Sequence, residues 1–169
     1  MLNDDIRLKI TITQWKTNQL KAALRNAKRA LQRAEEDYSP VTPEQFTNRA
    51  RNIKQCEEQV ERYTRAIKET AWTPPSYSEI CKLRQLELQW SGTGVLPGIC
   101  ETAVKVAVMN ERPQAEAKAR AEYAAAVKVA DRAYTAFVNA TAKYGIYPTP
   151  TWEEAKAELV SKYGLMGVL

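Results

Sequence analysis

Eight basic side chains fall within residues 6–34, a stretch that contains no acidic residue: Arg7, Lys9, Lys16, Lys21, Arg25, Lys28, Arg29 and Arg33. The whole chain has 25 basic and 20 acidic residues, so the remainder carries 17 basic against 20 acidic residues. The positive charge is therefore a property of one segment. A helix with this charge attracts phosphate backbones or an acidic protein surface.

Trp15 lies beside Lys16 in this basic stretch. An aromatic ring close to cations can stack on a nucleic-acid base, although a tryptophan near a helix end also commonly fills the margin of a core. The basic residues could instead form a solvated face neutralised by acidic residues of the next helix: Glu57, Glu58, Glu61 and Glu69. The sequence leaves these interpretations open.

Catalytic chemistry finds little support in the sequence. The chain contains no histidine, which removes histidine bases and the commonest zinc ligands. Adjacent carboxylates such as Glu153 and Glu154 point to different helix faces and so do not form a shared acid–base site. Glu57 and Glu61 do share a face, but we interpret them as part of a solvated helix surface. Three widely spaced cysteines, Cys56, Cys81 and Cys100, fit neither a disulfide framework nor a metal site. We expect no catalytic residue, metal site, cofactor or small-molecule substrate.

Turn signals divide the chain at residues 39–45, 73–76, 91–94, 110–113 and 145–151. Three of these contain the residue pairs of a capping box, which starts a helix: Thr42 with Gln45, Ser76 with Glu79, and Thr151 with Glu154. Apolar residues between the signals recur every three or four positions. Helices are therefore predicted for most of the chain.

The first two helices are predicted to pair. Leu20, Leu24 and Leu31 mark an apolar stripe on the first, and Phe46, Ile53, Val60 and Ile67 recur every seven residues on the second. Two such stripes joined by a short turn predict an antiparallel hairpin. Residues 6–13 also alternate like a strand, but the hairpin favours helix there because the second helix needs a partner of similar length. An edge strand on a neighbouring subunit is the alternative.

The remainder is predicted to be a small helical bundle. Residues 113–144 form a long alanine-rich helix, and shorter helices are expected at 78–90 and 97–109, with a short strand at 86–90 as an alternative. The fold class is all-α: a basic helical hairpin at 1–72 followed by a helical bundle at 73–169, together one compact unit.

No apolar run approaches the ~20 residues that cross a bilayer, and the N-terminus lacks the apolar core of a signal peptide. We therefore expect a cytoplasmic or virion protein without membrane contact.

The segment that begins with Leu96, Pro97 and Gly98 resembles the helical core of head-to-tail adaptor (connector) proteins of tailed bacteriophages. The resemblance covers residues 96–148 and consists of a helix like ICETAVKVAVMNER, a proline-led helix like PQAEAKARAEYAAAVKVADRAYTAF, and a close like KYGIYPTP. It implies a non-enzymatic ring component that docks on the portal and passes DNA through its lumen. The apolar C-terminal residues would then form an oligomer contact: Leu165, Met166, Val168 and Leu169.

Three hypotheses follow for the function. The first is a structural or assembly protein that acts in an oligomer with other protein subunits, with the basic hairpin facing an acidic partner. The second is a nucleic-acid-binding helical module that uses residues 7–33. The third is a small regulator or inhibitor that binds an acidic protein surface.

Overall fold

The computed structural model describes residues 2–36 and 40–165. These residues form six α-helices and no strand: α1 (Leu2–Glu36), α2 (Pro43–Thr70), α3 (Tyr77–Gly94), α4 (Leu96–Met109), α5 (Pro113–Lys143) and α6 (Trp152–Tyr163). The all-α prediction is confirmed. Residues 6–13 lie within α1, so the edge-strand alternative is wrong, as is the strand considered at 86–90.

The predicted capping residues begin their helices. The Thr42 hydroxyl accepts the backbone N–H of Gln45, whose side-chain oxygen accepts the N–H of Thr42. Thr151 and Glu154 make the same reciprocal pair before α6. At α3, the backbone N–H and the hydroxyl of Ser76 both donate to the Glu79 carboxylate. These contacts span three residues, which is why the sequence alone predicts them.

The predicted break at residues 91–94 separates two helices as expected but lies later in the chain, at Val95. α3 continues to Gly94, and only Val95 separates it from α4. The Thr93 hydroxyl donates to the carbonyl oxygens of Gln89 and Trp90, and Trp90 stacks on Phe137 of α5. Packing against α5 thus holds the end of α3 in helical geometry despite two glycines, because tertiary contacts override weak local propensity.

The described chain forms two compact units, each assembled from separated segments. Unit 1 contains residues 2–6 and 74–148, which include α3, α4 and α5. Unit 2 contains residues 7–73 and 149–165, which include α2, α6 and most of α1. The structure therefore differs from the predicted division at residue 72, because α6 packs with α1 and α2 rather than with the bundle that precedes it.

The core of unit 2 combines α1, α2 and α6. Leu20, Ala66, Leu159, Tyr163 and Leu165 form a buried cluster. Contacts along α1 and α2 occur in antiparallel order: Lys9 lies 5.2 Å from the centre of the Trp72 ring, and Arg49 donates to the carbonyl oxygens of Ala34 and Glu35. The Arg49 guanidinium thereby satisfies carbonyl groups at the C-terminal end of α1.

Candidate functional site

The second half of α1 carries five exposed basic residues, which we call the basic face: Lys21, Arg25, Lys28, Arg29 and Arg33. Successive members are four, three, one and four residues apart, so all five lie on one side of the helix. The opposite side holds buried Leu20 and Ala27. The helix can therefore bury its apolar stripe and present its charge together. From Lys21 to Arg33 the row extends about 18 Å, at a rise of 1.5 Å per residue.

None of the five cations forms an ion pair with another residue in the described parts of the chain. The predicted alternative, neutralisation by glutamates of α2, does not occur among these residues. Glu61, for example, pairs with Arg65 on its own helix at 2.8 Å. Among the described residues, the charge of the basic face is therefore not matched by a nearby carboxylate.

A polar groove continues the basic face toward the start of α1. It has a volume of about 430 Å³ and is lined by Thr13, Gln14, Thr17, Asn18 and Lys21 of α1, with residues 71–73 on its other side. Gln14, Asn18, Lys21 and Arg25 follow one another at steps of four, three and four residues, so they lie in one row. Amide and hydroxyl side chains here can donate hydrogen bonds beside the cations.

Packing around the basic face is thin. Ala27 is the last buried residue on α1 and Ala66 the first on α2, and no described residue between them is buried. Arg51 and Lys54, on the first half of α2, are also exposed. The described part of this segment is therefore a pair of helices with open sides and an excess of positive charge.

Three of the predicted binding residues are used within unit 2 instead. The Lys16 ammonium pairs with Glu158 of α6 at 2.5 Å, and only 12% of its side chain is exposed. The Trp15 ring packs edge-to-face on Trp152, with ring centres 5.5 Å apart. Lys9 lies over Trp72, and burial lowers the pKa of its ammonium. The structure thus places these residues in packing contacts rather than on the basic face.

Arg7 is exposed but lies 14 residues before Lys21, outside the continuous row. Leu165, expected in an oligomer contact, is 7% exposed and belongs to the core of unit 2. It is therefore not a free-standing contact, because its own chain already covers it. Met166, Val168 and Leu169 lie outside the described residues.

Sequence reasoning missed one exposed surface, on α4. Pro97, Cys100, Val104 and Ala107 form its inner row, whereas Leu96, Ile99, Val106 and Met109 form a second apolar row that is exposed. Ile99 is 65% and Met109 81% exposed. We call this second row the α4 stripe. The high apolar content of α4 was the available signal. A helix that packs against its neighbours on a single side needs fewer apolar residues than α4 contains.

Comparison with known proteins gives no relative. No protein-family model matches the chain, and no curated protein or solved structure matches it significantly.

The described helices include none that is long and apolar enough to span a bilayer. Within the same residues, no group of three or more His, Cys, Asp or Glu side chains is placed to hold a metal ion.

Proposed function

We propose that this chain is a non-enzymatic assembly protein that contacts the phosphate backbone of a nucleic acid through the basic face of α1. The observation that carries the proposal is the row of five exposed cations without ion-pair partners among the described residues. Each cation that neutralises a phosphate releases a condensed counterion, so such a row gains binding free energy at low salt.

The neighbouring polar groove supports phosphate rather than carboxylate as the partner group. Protein contacts to phosphates come from Arg and Lys together with Thr, Asn and Gln, and the groove supplies Thr17, Asn18 and Gln14 in line with Lys21. Trp15 is packed on Trp152 and offers no platform for an unpaired base. These features favour backbone contact with a duplex, independent of sequence.

Removal of four charges from the basic face tests this proposal. In the variant R25A/K28A/R29A/R33A, affinity for duplex DNA should fall, and the slope of log affinity against log salt should lose about 0.9 for each phosphate contact removed. Fluorescence anisotropy over a range of salt concentrations measures both quantities.

The matched control is R84A/R112A/K128A/R132A. It removes the same residue types and the same charge from exposed positions on unit 1. Its salt slope should equal that of the unchanged protein. Equal losses in both variants would show that net charge alone drives binding. Retained duplex affinity in the basic-face variant would favour an acidic protein surface as the partner.

The α4 stripe favours an oligomer as the setting for this binding. A helix that is apolar on two sides is stable in water when both sides are covered, and α5 covers only one. A second copy of the chain can place its own α4 stripe there by two-fold symmetry, which makes one patch complementary to itself. The resemblance to connector proteins implies a ring, which needs a further, head-to-tail contact between subunits, and in such a ring repeated subunits would line a DNA path with basic faces.

Substitution of the stripe tests self-association. The variant I99K/V106K should shift the assembly to monomers, because two lysines opposite their symmetry mates repel and must lose water on contact. Native mass spectrometry at micromolar concentration measures the subunit number. K105A, which removes the partner of Glu101 beside the stripe, is the control and should leave assembly intact. A monomeric unchanged protein would contradict the oligomer proposal.

A further inference from the structure

Unit 1 contains a cleft that neither the basic face nor the α4 stripe explains. It has a volume of about 590 Å³ and lies among Asp5, Trp90, Tyr134, Phe137, Val138 and Tyr147. We call it the aromatic cleft. Its volume is within the range of small-molecule sites, which are mostly apolar with a few placed polar groups. Thr141 and Ala142 complete the lining, so four of its eight side chains are aromatic.

The rings form a floor and a rim. Trp90 stacks on Phe137 with ring centres 5.2 Å apart and planes 16° apart, and Phe137 is buried. Tyr134 meets Trp90 at 5.4 Å and 51°, and is half exposed. Tyr147 contributes a further ring and is also partly exposed. The cleft is thus open to solvent while its inner surface is set by packed aromatic rings.

One carboxylate enters this aromatic surface. Asp5 Oδ2 accepts a hydrogen bond of 2.9 Å from the Tyr147 hydroxyl, and the described residues give Asp5 no ion-pair partner. The pKa of Tyr147 is raised by burial, by the hydrogen bond to Asp5 and its charge, and by the charge of Glu87. The Tyr147 hydroxyl therefore stays neutral. Among the residues that the structure describes, no basic side chain lines the cleft. The site consequently combines π faces with net negative charge.

We propose that the aromatic cleft binds a small organic cation whose nitrogen carries alkyl groups. Aromatic faces attract an ammonium, and the alkyl groups on its nitrogen are weakly hydrated and pack against the rings. Cation–π attraction and apolar contact therefore act together. Asp5 lines the cleft and supplies the opposing charge. An anion is repelled here, and a neutral molecule of the same shape gains only the apolar contact. This proposal is independent of nucleic-acid binding.

Choline and its uncharged isostere 3,3-dimethyl-1-butanol separate charge from shape. Titration calorimetry of the full chain should show choline binding at least tenfold more tightly than the isostere. Chemical-shift changes at the Trp90 indole N–H should locate the binding. Equal affinity of the two probes, or no choline binding up to about 10 mM, the weak limit of measurable affinity, would overturn the proposal.

Asp5→Asn provides the residue-level test, with Asp4→Asn as its matched control. Both acids lie in the first turn of α1, so both variants lose the same helix-dipole interaction, but only Asp5 lines the cleft. Choline affinity should fall at least tenfold in D5N and stay unchanged in D4N. Equal effects in the two variants would overturn the proposal.

A third variant, Tyr134→Leu, guards against a loss of folding in D5N. Tyr134 is 51% exposed, so leucine is tolerated at the rim and keeps an apolar surface while removing the π face. Choline affinity should fall while isostere affinity stays the same. Unchanged choline affinity in this variant would show that the rings do not recognise the cation.

Discussion

Lys16, which the sequence predicts to contact a partner, instead stabilises the fold. Its side chain is largely buried beside Trp15, and Glu158 supplies the charge that makes this burial tolerable. Burial alone would raise the pKa of Glu158, but hydrogen bonds and charges from Lys16 and Lys162 outweigh it, so the pKa lies below its ordinary value. Glu158 thus stays ionised and fixes α6 to α1 in unit 2.

Lys16→Met should lower the free energy of unfolding by about 1–2 kcal/mol at pH 7, between the values for exposed and buried ion pairs. A carboxyl with a lowered pKa stabilises the fold above its unfolded pKa and ceases to do so as the pH falls through the folded value. The difference between K16M and the unchanged protein should therefore shrink in acid. Urea denaturation followed by circular dichroism measures it.

Lys162→Met is the control for this measurement. Lys162 also pairs with Glu158, at 3.0 Å, but 64% of its side chain is exposed. Solvent screens such a pair, so its loss should cost less than that of Lys16. Equal losses in the two variants would contradict the role given to burial.

Among the helices, α3 has the most elaborate beginning. Glu79 accepts the hydroxyl and the backbone N–H of Ser76, and Tyr144, which follows α5, donates to its other oxygen at 2.8 Å. One carboxylate therefore both caps α3 and connects it to the end of α5. These hydrogen bonds, with those from Ser76 the strongest, lower the pKa of Glu79 to about 2.

The stability of α3 should depend on pH through Glu79. Because the pKa is lowered, the contribution is complete above the ordinary value of 4.5 and is lost as the pH falls toward about 2. Glu79→Gln keeps an oxygen for the cap but has no proton to bind in this range. The protection factors of the α3 amides, which compare the observed exchange rate with the intrinsic rate at the same pH, should thus fall more on acidification in the unchanged protein than in E79Q. An equal fall in both would assign the acid sensitivity to other groups.

At the scale of the molecule, each unit depends on segments that are far apart in the chain. α6 returns to the unit that contains α2, where Leu159 and Tyr163 cover Leu20 and Ala66. Residues 2–6 join the unit of α3, α4 and α5, where the Leu2 backbone N–H donates to Glu87 at 3.0 Å. Neither unit is therefore a simple half of the sequence.

A chain that ends at residue 148 should lose the core of unit 2 while unit 1 stays folded. Without α6, Leu20 and Ala66 become exposed to water and Lys16 has no carboxylate, whereas the α3, α4 and α5 contacts remain. Hydrogen exchange should show lost protection across residues 12–66 and retained protection across 77–143. A chain that ends at Leu165 is the control, and equal protection in both truncated chains would contradict the assignment of α6 to this core.

The sequence by itself determined the all-helical class and the starts of α2, α3 and α6. Thr42, Ser76 and Thr151 act on groups three residues away, and the apolar stripe of α1 repeats within two turns, so local spacing contains the necessary information. It also located the segment that holds the basic face. It did not determine which cations stay free, because the Lys16 partner lies 142 residues away.

Only the tertiary structure paired Lys16 with a carboxylate while it left Arg25 exposed. It also kept residues 91–94 helical, buried Leu165 and exposed the α4 stripe. It also brought Asp5 to Trp90 and Tyr147. Each of these outcomes depends on the side chain that a distant segment places nearby. The free energy of burying a charge or an aromatic ring is set by that neighbour and not by adjacent residues.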